Sequence, residues 1–318
     1  QGRAAPEPLL LAMYAALAVD ADERSLAHLH QVFETYPERR HLVAVGLARY
    51  SQAHRRRASD WRLLVRAMPL MEGDLAREVM AALVRYPDRA TRARWIRQAL
   101  LQGLKLGEHG GRDAFELVEH WAADSIFQAD DDWPTRVAAA QAWFARRYPD
   151  QPPRHLPAES PAAKWRYEPL LAMLRADERG SPERGLQVFQ QARCHACHRY
   201  DGVGDTLGPN LTGLGSRLQL KEMVYATIFP SEWVDDEFTS YAVEAHDGRQ
   251  LVGLVGRQGD DSLVILQANG QKATVPQRAI VRSQAQRLSI MPHDTLEPLA
   301  EQEVVDLFAL LRQRAKTD

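Results

Sequence analysis

The chain of 318 residues contains only two cysteines, and they stand three positions apart with a histidine directly after the second. The run reads Cys194-His195-Ala196-Cys197-His198, the C-x-x-C-H pattern at which a c-type haem is attached. In this pattern each thiol adds to a vinyl group of the haem, and the histidine is placed to ligate the iron. The motif therefore predicts one covalent haem c held by Cys194 and Cys197, with His198 as an iron ligand.

Two other uses of a C-x-x-C pair fit this chain less well. A thioredoxin-like redox pair belongs to a βαβ context, and no such pattern surrounds residues 194–197. A structural zinc site needs four ligands, usually from two such pairs, and the chain has no further cysteine.

Composition excludes several classes of function. Apolar residues make up 45% and charged residues 26% of the chain, which are ordinary values for a globular protein. The formal net charge of −2 gives no electrostatic basis for binding nucleic acid or an anionic membrane surface. No run of about eighteen apolar residues occurs, so we expect no membrane span.

The motif also predicts a compartment. Covalent attachment of haem needs reduced cysteines and dedicated machinery, which normally operate outside the bacterial inner membrane. The chain opens on Gln1 and shows no signal peptide. We therefore infer a periplasmic or otherwise exported protein from the motif rather than from a leader segment.

Residues 1–178 are expected to form an α-helical domain, because apolar residues recur at intervals of three and four. This periodicity predicts helices near residues 9–19 and 26–33 and at His41–Tyr50, Trp61–Met71, Leu75–Val84, Ala93–Leu104, Ala114–Ala122, Val137–Phe144 and Ala162–Leu174. Tyr-Pro pairs at Tyr36, Tyr86 and Tyr148 predict helix ends, and their spacing favours a degenerate HEAT-like hairpin repeat over an irregular bundle. Five prolines between residues 149 and 161 predict an extended linker.

Residues 179–318 are expected to form the haem domain. Ser181-Pro182-Glu183 is typical of a helix start, and helices are predicted at Leu218–Ile228 and Glu301–Arg314. From about residue 239 to 283 short β-branched runs alternate with Asp-Gly and Asn-Gly turns. This stretch predicts four or five antiparallel strands inserted into an otherwise helical domain.

The second axial ligand of the iron has to come from elsewhere in the chain. A thioether sulfur stabilises reduced haem iron, and only Met223 and Met291 follow the motif. Met223 falls inside a predicted helix, where methionine usually fills the core. Met291 precedes the last helix. If the residues of the predicted sheet are left out of the count, the number of residues between His198 and Met291 suits a cytochrome. Met291 is favoured, with His246 and His293 as the remaining candidates.

A ligating histidine normally donates its other ring N–H to a fixed acceptor. A backbone carbonyl in the turn Gly208-Pro209-Asn210-Leu211 can provide that acceptor for His198. Gly-Pro turns are common, so the spacing alone does not establish the contact.

In order and context these features resemble a class I cytochrome c. The residues that carry the resemblance are Gly185, Phe189, the C-x-x-C-H motif, Gly208-Pro209-Asn210-Leu211, Gly215, Arg217, Met291-Pro292, Asp306-Leu307 and Leu310-Leu311. With a sheet ahead of the methionine, the chain is most similar to the Planctomycete–Verrucomicrobium-type haem-binding domain, whose insertion resembles HDGRQLVGLV before SIMP. The resemblance covers about Ser181 to Arg314.

The resemblance implies roles for residues around the haem. It implies that the Pro209 carbonyl accepts a hydrogen bond from His198, that Leu211 packs on the porphyrin, and that Arg217 reaches a haem propionate. The family often has an aromatic residue where this chain has Leu310.

The resemblance also implies how the first and last helices of the domain meet. Gly185 and Phe189 are expected to cross the last helix at Leu307 and Leu310. Domains of this family commonly follow helical repeats and a β-propeller dehydrogenase, and this chain contains no propeller.

The sequence thus predicts a mainly α protein in which a HEAT-like domain precedes a monohaem cytochrome c domain with a small antiparallel β insertion. We expect electron transfer rather than catalysis, with a periplasmic dehydrogenase as donor and a further carrier as acceptor; the chain can also be a domain or subunit of that dehydrogenase. Two alternatives stay open: a haem enzyme or small-ligand sensor with an open iron site, and a solenoid binding scaffold with an accessory haem.

Overall fold

The computed structural model describes residues 7–20, 22–54, 56–128, 130–149, 151, 159–177, 179–232 and 234–315. The chain divides into two compact units, residues 1–156 and 157–318. This division lies earlier than the boundary expected at 178, because the helix over residues 167–176 packs into the core of the second unit. Most of the predicted linker, residues 149–161, lies outside the described residues.

Helices form the described part of the first unit. In chain order they are α1 (Glu7–Asp20), α2 (Glu23–Thr35), α3 (Arg40–Ala53), α4 (Ala58–Ala67), α5 (Gly73–Val84), α6 (Ala93–Ala122) and α7 (Trp133–Arg147). α6 is interrupted at Gly107, whose φ of +64° is left-handed. The interruption separates the two helices that the sequence predicted within this range.

The core of the first unit lies between α1, α3, α5 and α6. α1 packs on α3, α3 packs on α5, and α5 packs on α6. Phe33, Tyr86, Phe115 and Phe144 are fully buried there. The HEAT-like repeat stays a prediction. In the part of the chain that the structure describes, no helix combines the length and the apolar character needed to cross a membrane.

Four helices build the framework of the second unit: α8 (Tyr167–Ala176), α9 (Pro182–Gln191), α10 (Leu220–Ile228) and α11 (Glu301–Leu311). α9 begins as predicted, with the Ser181 hydroxyl accepting the Arg184 N–H at 3.3 Å. α8 begins later than the predicted Ala162, because the Lys164 and Tyr167 N–H groups donate to the carboxylates of Glu297 and Glu159 rather than within a helix.

α9 and α11 cross where the sequence expected them to. A Cβ on Gly185 would lie 2.1 Å from the Asp306 carbonyl oxygen and 2.8 Å from the Leu310 Cβ, so only glycine permits this approach. The Arg184 guanidinium donates to both Asp306 carboxylate oxygens at 2.7 Å. These hydrogen bonds lower the pKa of Asp306. Phe189 is fully buried at the same crossing.

A five-stranded antiparallel sheet confirms the predicted insertion. A two-stranded hairpin precedes it, formed by β1 (Arg199–Tyr200) and β2 (Val203–Gly204). The sheet has the order β6-β5-β4-β3-β7 and consists of β3 (Ser240–Ala245), β4 (Gln250–Gln258), β5 (Ser262–Gln267), β6 (Lys272–Pro276) and β7 (Ile280–Ala285). One face buries Val243, Ile265 and Val275 in a small core. On the other face, Leu254 pairs with Leu266, and both are buried.

Candidate functional site

The two cysteines lie on one tight turn directly after α9. Arg193 has a left-handed φ of +60°, which ends the helix, and a 3-10 turn follows over Cys194–Ala196. The Cys197 and His198 N–H groups both donate to the Cys194 carbonyl, at 3.2 and 2.9 Å. Both thiols therefore lie on one hydrogen-bonded turn, three residues apart.

Neither thiol is poised to act as a thiolate. Burial raises the pKa of Cys194 to about 11, and burial together with the nearby Asp205 raises the pKa of Cys197. A redox-active C-x-x-C pair needs a lowered thiol pKa instead. Across the described residues, no group of three or more His, Cys, Asp and Glu side chains is arranged to hold a metal ion. Both cysteines are free on this turn, as thioether formation requires.

His198 offers one ring nitrogen as a ligand. Its Nδ1 donates to the Pro209 carbonyl oxygen at 3.0 Å, which is the hydrogen bond expected from the resemblance. Burial lowers the pKa of the imidazole more than this hydrogen bond raises it, so the ring is neutral at pH 7. A carbonyl only accepts, so the proton sits on Nδ1 and Nε2 keeps the lone pair that an iron ligand needs.

Residues 204–211, here called the glycine loop, are tied to the backbone of the motif. The Asp205 and Gly208 N–H groups donate to the His195 and Cys197 carbonyls at 3.0 and 2.9 Å. Cβ atoms on Gly204 and Gly208 would lie 2.1 Å from the His198 carbonyl oxygen and 2.4 Å from the Cys197 carbonyl oxygen. The glycines thus let the loop lie against the motif, which fixes the Pro209 carbonyl beside His198.

Leu211 ends the glycine loop, and Arg217 follows it in the chain. Leu211 is half-buried and packs against the core of the second unit. The Arg217 guanidinium is exposed and donates to the carbonyls of Asn210 and Thr212. Arg217 therefore braces the loop that carries Pro209. Contact of either residue with haem stays a prediction.

The structure separates the two candidate methionines. Met223 is only 3% exposed and lies in the hydrophobic core on α10, where the sequence analysis expected a core residue. Met291 is half-buried in the loop between β7 and α11. Its N–H donates to the Ser289 hydroxyl, and the Ser289 N–H donates to the Ser231 hydroxyl, both at 3.1 Å. His246 and His293 are both exposed.

The inserted sheet packs directly on the glycine loop and the motif. Lys272 of β6 forms an ion pair with Asp205, and the Arg193 guanidinium donates to the Asn269 carbonyl at 2.6 Å. Burial alone would raise the pKa of Asp205, but the hydrogen bonds from Lys272 and from backbone N–H groups lower it overall. A Cβ on Gly256 would lie 2.3 Å from the Leu207 side chain. The sheet therefore covers one side of the attachment loop.

Sequence reasoning missed these residues, although one of them left a signal. Asp205 follows a glycine between the motif and the Gly-Pro turn, which is typical of a capped loop. Its carboxylate accepts the Leu207 N–H at 2.9 Å. The contacts of Lys272 and Asn269 left no signal, because nothing in the sequence specifies which part of the insertion meets the motif.

The side chains of the C-x-x-C-H motif fit a covalent haem. Among the described residues of the second unit, two buried side-chain atoms have no hydrogen-bond partner within the protein, His195 Nδ1 and Trp165 Nε1. A buried polar atom left unpaired costs about 1–3 kcal/mol, so such atoms usually have a partner outside the chain. The described part of the first unit holds buried unpaired atoms of the same kind, so these two atoms do not identify a cofactor. The free Nε2 on His198 and the two free thiols match what a covalent haem requires.

Comparison with known proteins supports the same conclusion. Residues 182–246 match the family model described as Cytochrome c. The matched stretch runs from the start of α9 through the motif and α10 into the β3–β4 turn. Members of this family bind a covalent c-type haem with iron. No curated protein matches the chain.

Proposed function

We propose that the second unit, which contains a cytochrome c domain, passes single electrons through one covalent haem c with His198 and Met291 as axial ligands. Cys194 and Cys197 form the thioether bonds, Leu211 packs on the porphyrin, and Arg217 supports the haem at a propionate. The haem, when bound, supplies an iron that alternates between the ferric and ferrous states.

The His198–Pro209 hydrogen bond is the observation that carries this proposal. It is 3.0 Å long and keeps the imidazole oriented and protonated on Nδ1, while burial keeps the ring neutral. An acceptor that binds the N–H of the non-ligating ring nitrogen raises the basicity of a ligating histidine and fixes the orientation of its ring. A histidine buried only for packing would also need a hydrogen-bond partner. The two free thiols on the same turn are what make this oriented imidazole suited to haem iron.

A methionine as sixth ligand is supported by where the two methionines lie. Met223 is enclosed by other apolar side chains in the core, whereas Met291 lies on a loop held by Ser289 and Ser231. Thioether ligation raises the reduction potential and leaves no open position for a substrate. Both consequences suit an electron carrier rather than an enzyme.

The cellular role proposed here follows from the cofactor. The protein is placed in the periplasm or another exported compartment, where it accepts electrons from a dehydrogenase and delivers them to a further carrier. Support comes from the attachment chemistry, which needs reduced thiols and dedicated machinery. The helical first unit is proposed to be a HEAT-like repeat domain.

An optical redox titration of the haem-loaded full chain tests the proposal. We expect a one-electron transition with a c-type spectrum, and a long-wavelength absorption band in the ferric state that reports sulfur on the iron. Haem that shows no such band and binds peroxide rapidly would instead establish an open iron site, as in a haem enzyme or sensor.

A further inference from the structure

Residues 159–176, here called the strap, lie outside the stretch that matches the cytochrome c family, yet they belong to the core of the second unit. Leu170, Leu171 and Leu174 of α8 are each less than 5% exposed. They share one hydrophobic cluster with residues of α9, α10 and α11. Tyr167 stands edge-on to Tyr225 of α10, with ring centroids 5.6 Å apart. The strap therefore cannot be removed without opening this core.

The strap also holds the segment that follows Met291. The Lys164 N–H donates to both carboxylate oxygens of Glu297, at 3.1 and 3.2 Å. The Lys164 ammonium donates to the Leu299 carbonyl. Leu296 and Leu299 are 3% and 2% exposed in the cluster that also contains the α8 leucines. One lysine thus fixes the loop at two points within nine residues of Met291.

The opposite end of this loop is fixed more weakly. Met291 and Ser289 are held there by two neutral hydrogen bonds to serine hydroxyls. A charged donor contributes about twice as much as a neutral one. The Lys164 contacts are therefore the stronger restraint on the loop that carries Met291.

We propose that the strap is a positioning element for the sixth iron ligand, with Lys164 as the residue that holds the Met291 loop in place. This inference rests on the proposed function, in which Met291 binds the iron. A thioether is a weak ligand. The fraction of protein with sulfur bound to the iron is therefore higher when the loop has little freedom to move away after the sulfur dissociates. The strap reduces that motion from outside the stretch that matches the family model.

Lys164→Met tests the inference in the haem-loaded full chain, because it removes the ammonium and keeps the apolar stem. We expect the ferric long-wavelength band to lose about half its amplitude and cyanide to bind the ferric haem about tenfold faster, since one charged hydrogen bond contributes about the 1.4 kcal/mol that corresponds to tenfold. Backbone amides of residues 292–300 should also exchange hydrogen faster. Lys164→Arg keeps a donor and should restore values near those of the parent.

Two further variants separate positioning from general stability. Arg175→Met removes an exposed cation from α8, elsewhere in the strap, and should leave the band and the cyanide rate unchanged. Glu297→Gln weakens the second contact of Lys164 and should shift both readouts in the direction of Lys164→Met. If the parent protein shows the band while the Lys164 and Glu297 variants keep the same band amplitude and cyanide-binding rate, this inference is overturned and Met291 ligation stands. Absence of the band from the parent would overturn Met291 ligation and this inference together.

Discussion

The Pro209 carbonyl decides which nitrogen of His198 is available. Either ring nitrogen of a neutral histidine can carry the proton. The hydrogen bond from Nδ1 at 3.0 Å leaves Nε2 unprotonated. The C-x-x-C-H motif identified His198 directly, because the spacing itself encodes the chemistry. The acceptor was found only through a family resemblance, since a Gly-Pro turn occurs in many loops.

At the residue scale, covalent attachment is the most direct prediction. Cys194→Ala or Cys197→Ala should each leave one thioether bond, and the double variant should release all its haem into acid acetone. The chain has no other cysteine to replace them. Haem content before and after extraction measures this. Haem that stays with the denatured double variant would contradict the assignment.

Asp306 sets a pH dependence of stability. Hydrogen bonds from Arg184, outweighing burial, lower the pKa of Asp306 in the folded state, so its contribution is present above the unfolded pKa and is lost as pH falls through the folded pKa. Asp306→Asn should lower the unfolding free energy at pH 7 by about 1–2 kcal/mol, because the ion pair with Arg184 is lost. The loss is no larger because the half-exposed Arg184 guanidinium can bind water instead.

Urea unfolding of the parent and Asp306→Asn between neutral and acid pH measures this contribution. The difference between the two proteins should shrink as the pH is lowered. Asp260→Asn, at an exposed turn between β4 and β5, is the matched control and should behave like the parent. A difference that stays constant with pH would show that the ionised Asp306–Arg184 pair is not responsible.

At the scale of elements, local patterns predicted the strands but not their contacts. Alternating β-branched residues and the turns at Gly248 and Gly270, with φ of +83° and +79°, indicated the sheet. The packing of β6 against the glycine loop depends on the Lys272–Asp205 ion pair, which joins residues far apart in sequence. Periodicity carries no information about such a contact. The same limit applies to α8. Its start was predicted too early because periodicity does not show that the N–H groups of Lys164 and Tyr167 donate to side-chain carboxylates.

The sheet should be dispensable for haem attachment. The Gln286 N–H donates to the Ser240 carbonyl at 2.7 Å, so a short Gly/Ser linker in place of residues 240–285 can join the two ends without strain. We expect this deletion to retain covalent haem, because the thiols, His198 and Pro209 all lie outside the sheet. The glycine loop loses its contacts with Lys272 and Asn269, so a small uncharged reductant should reduce the haem faster.

Haem staining after denaturing electrophoresis and stopped-flow reduction measure the two effects. Lys272→Met breaks only the ion pair and should give a smaller increase in the reduction rate than the deletion. Failure of the deletion to incorporate haem would place the sheet in the essential fold.

At the scale of the whole molecule, the amphipathic pattern of α8 predicted a helix but not the core it joins. Leu170, Leu171 and Leu174 repeat at a spacing that fits either unit. The structure places them in the core of the second unit, which moves the division of the chain from 178 to 156. The boundary predicted from the sequence was based on Gly180, the glycine after α8. That glycine comes after the end of a helix but does not mark the end of a domain.

Two fragments test where the second unit begins. Residues 157–318 should fold alone and attach haem when exported, whereas residues 179–318 should be less stable by at least about 3 kcal/mol, because three buried leucines are lost. Urea unfolding followed by circular dichroism measures the difference. Equal stability of the two fragments would show that α8 is not part of this unit.

The central claim is that the second unit is an electron carrier with His198 and Met291 on the iron, and potentiometric titration of three haem-loaded proteins tests it most directly. Met291→His replaces a soft thioether with an imidazole that favours ferric iron, so the midpoint potential should fall by about 0.1–0.3 V and the ferric long-wavelength band should vanish. Met223→Leu, a volume-conserving change in the core, should keep the potential and band of the parent. A Met291→His protein with the midpoint and band of the parent would contradict the claim and place the sixth ligand elsewhere.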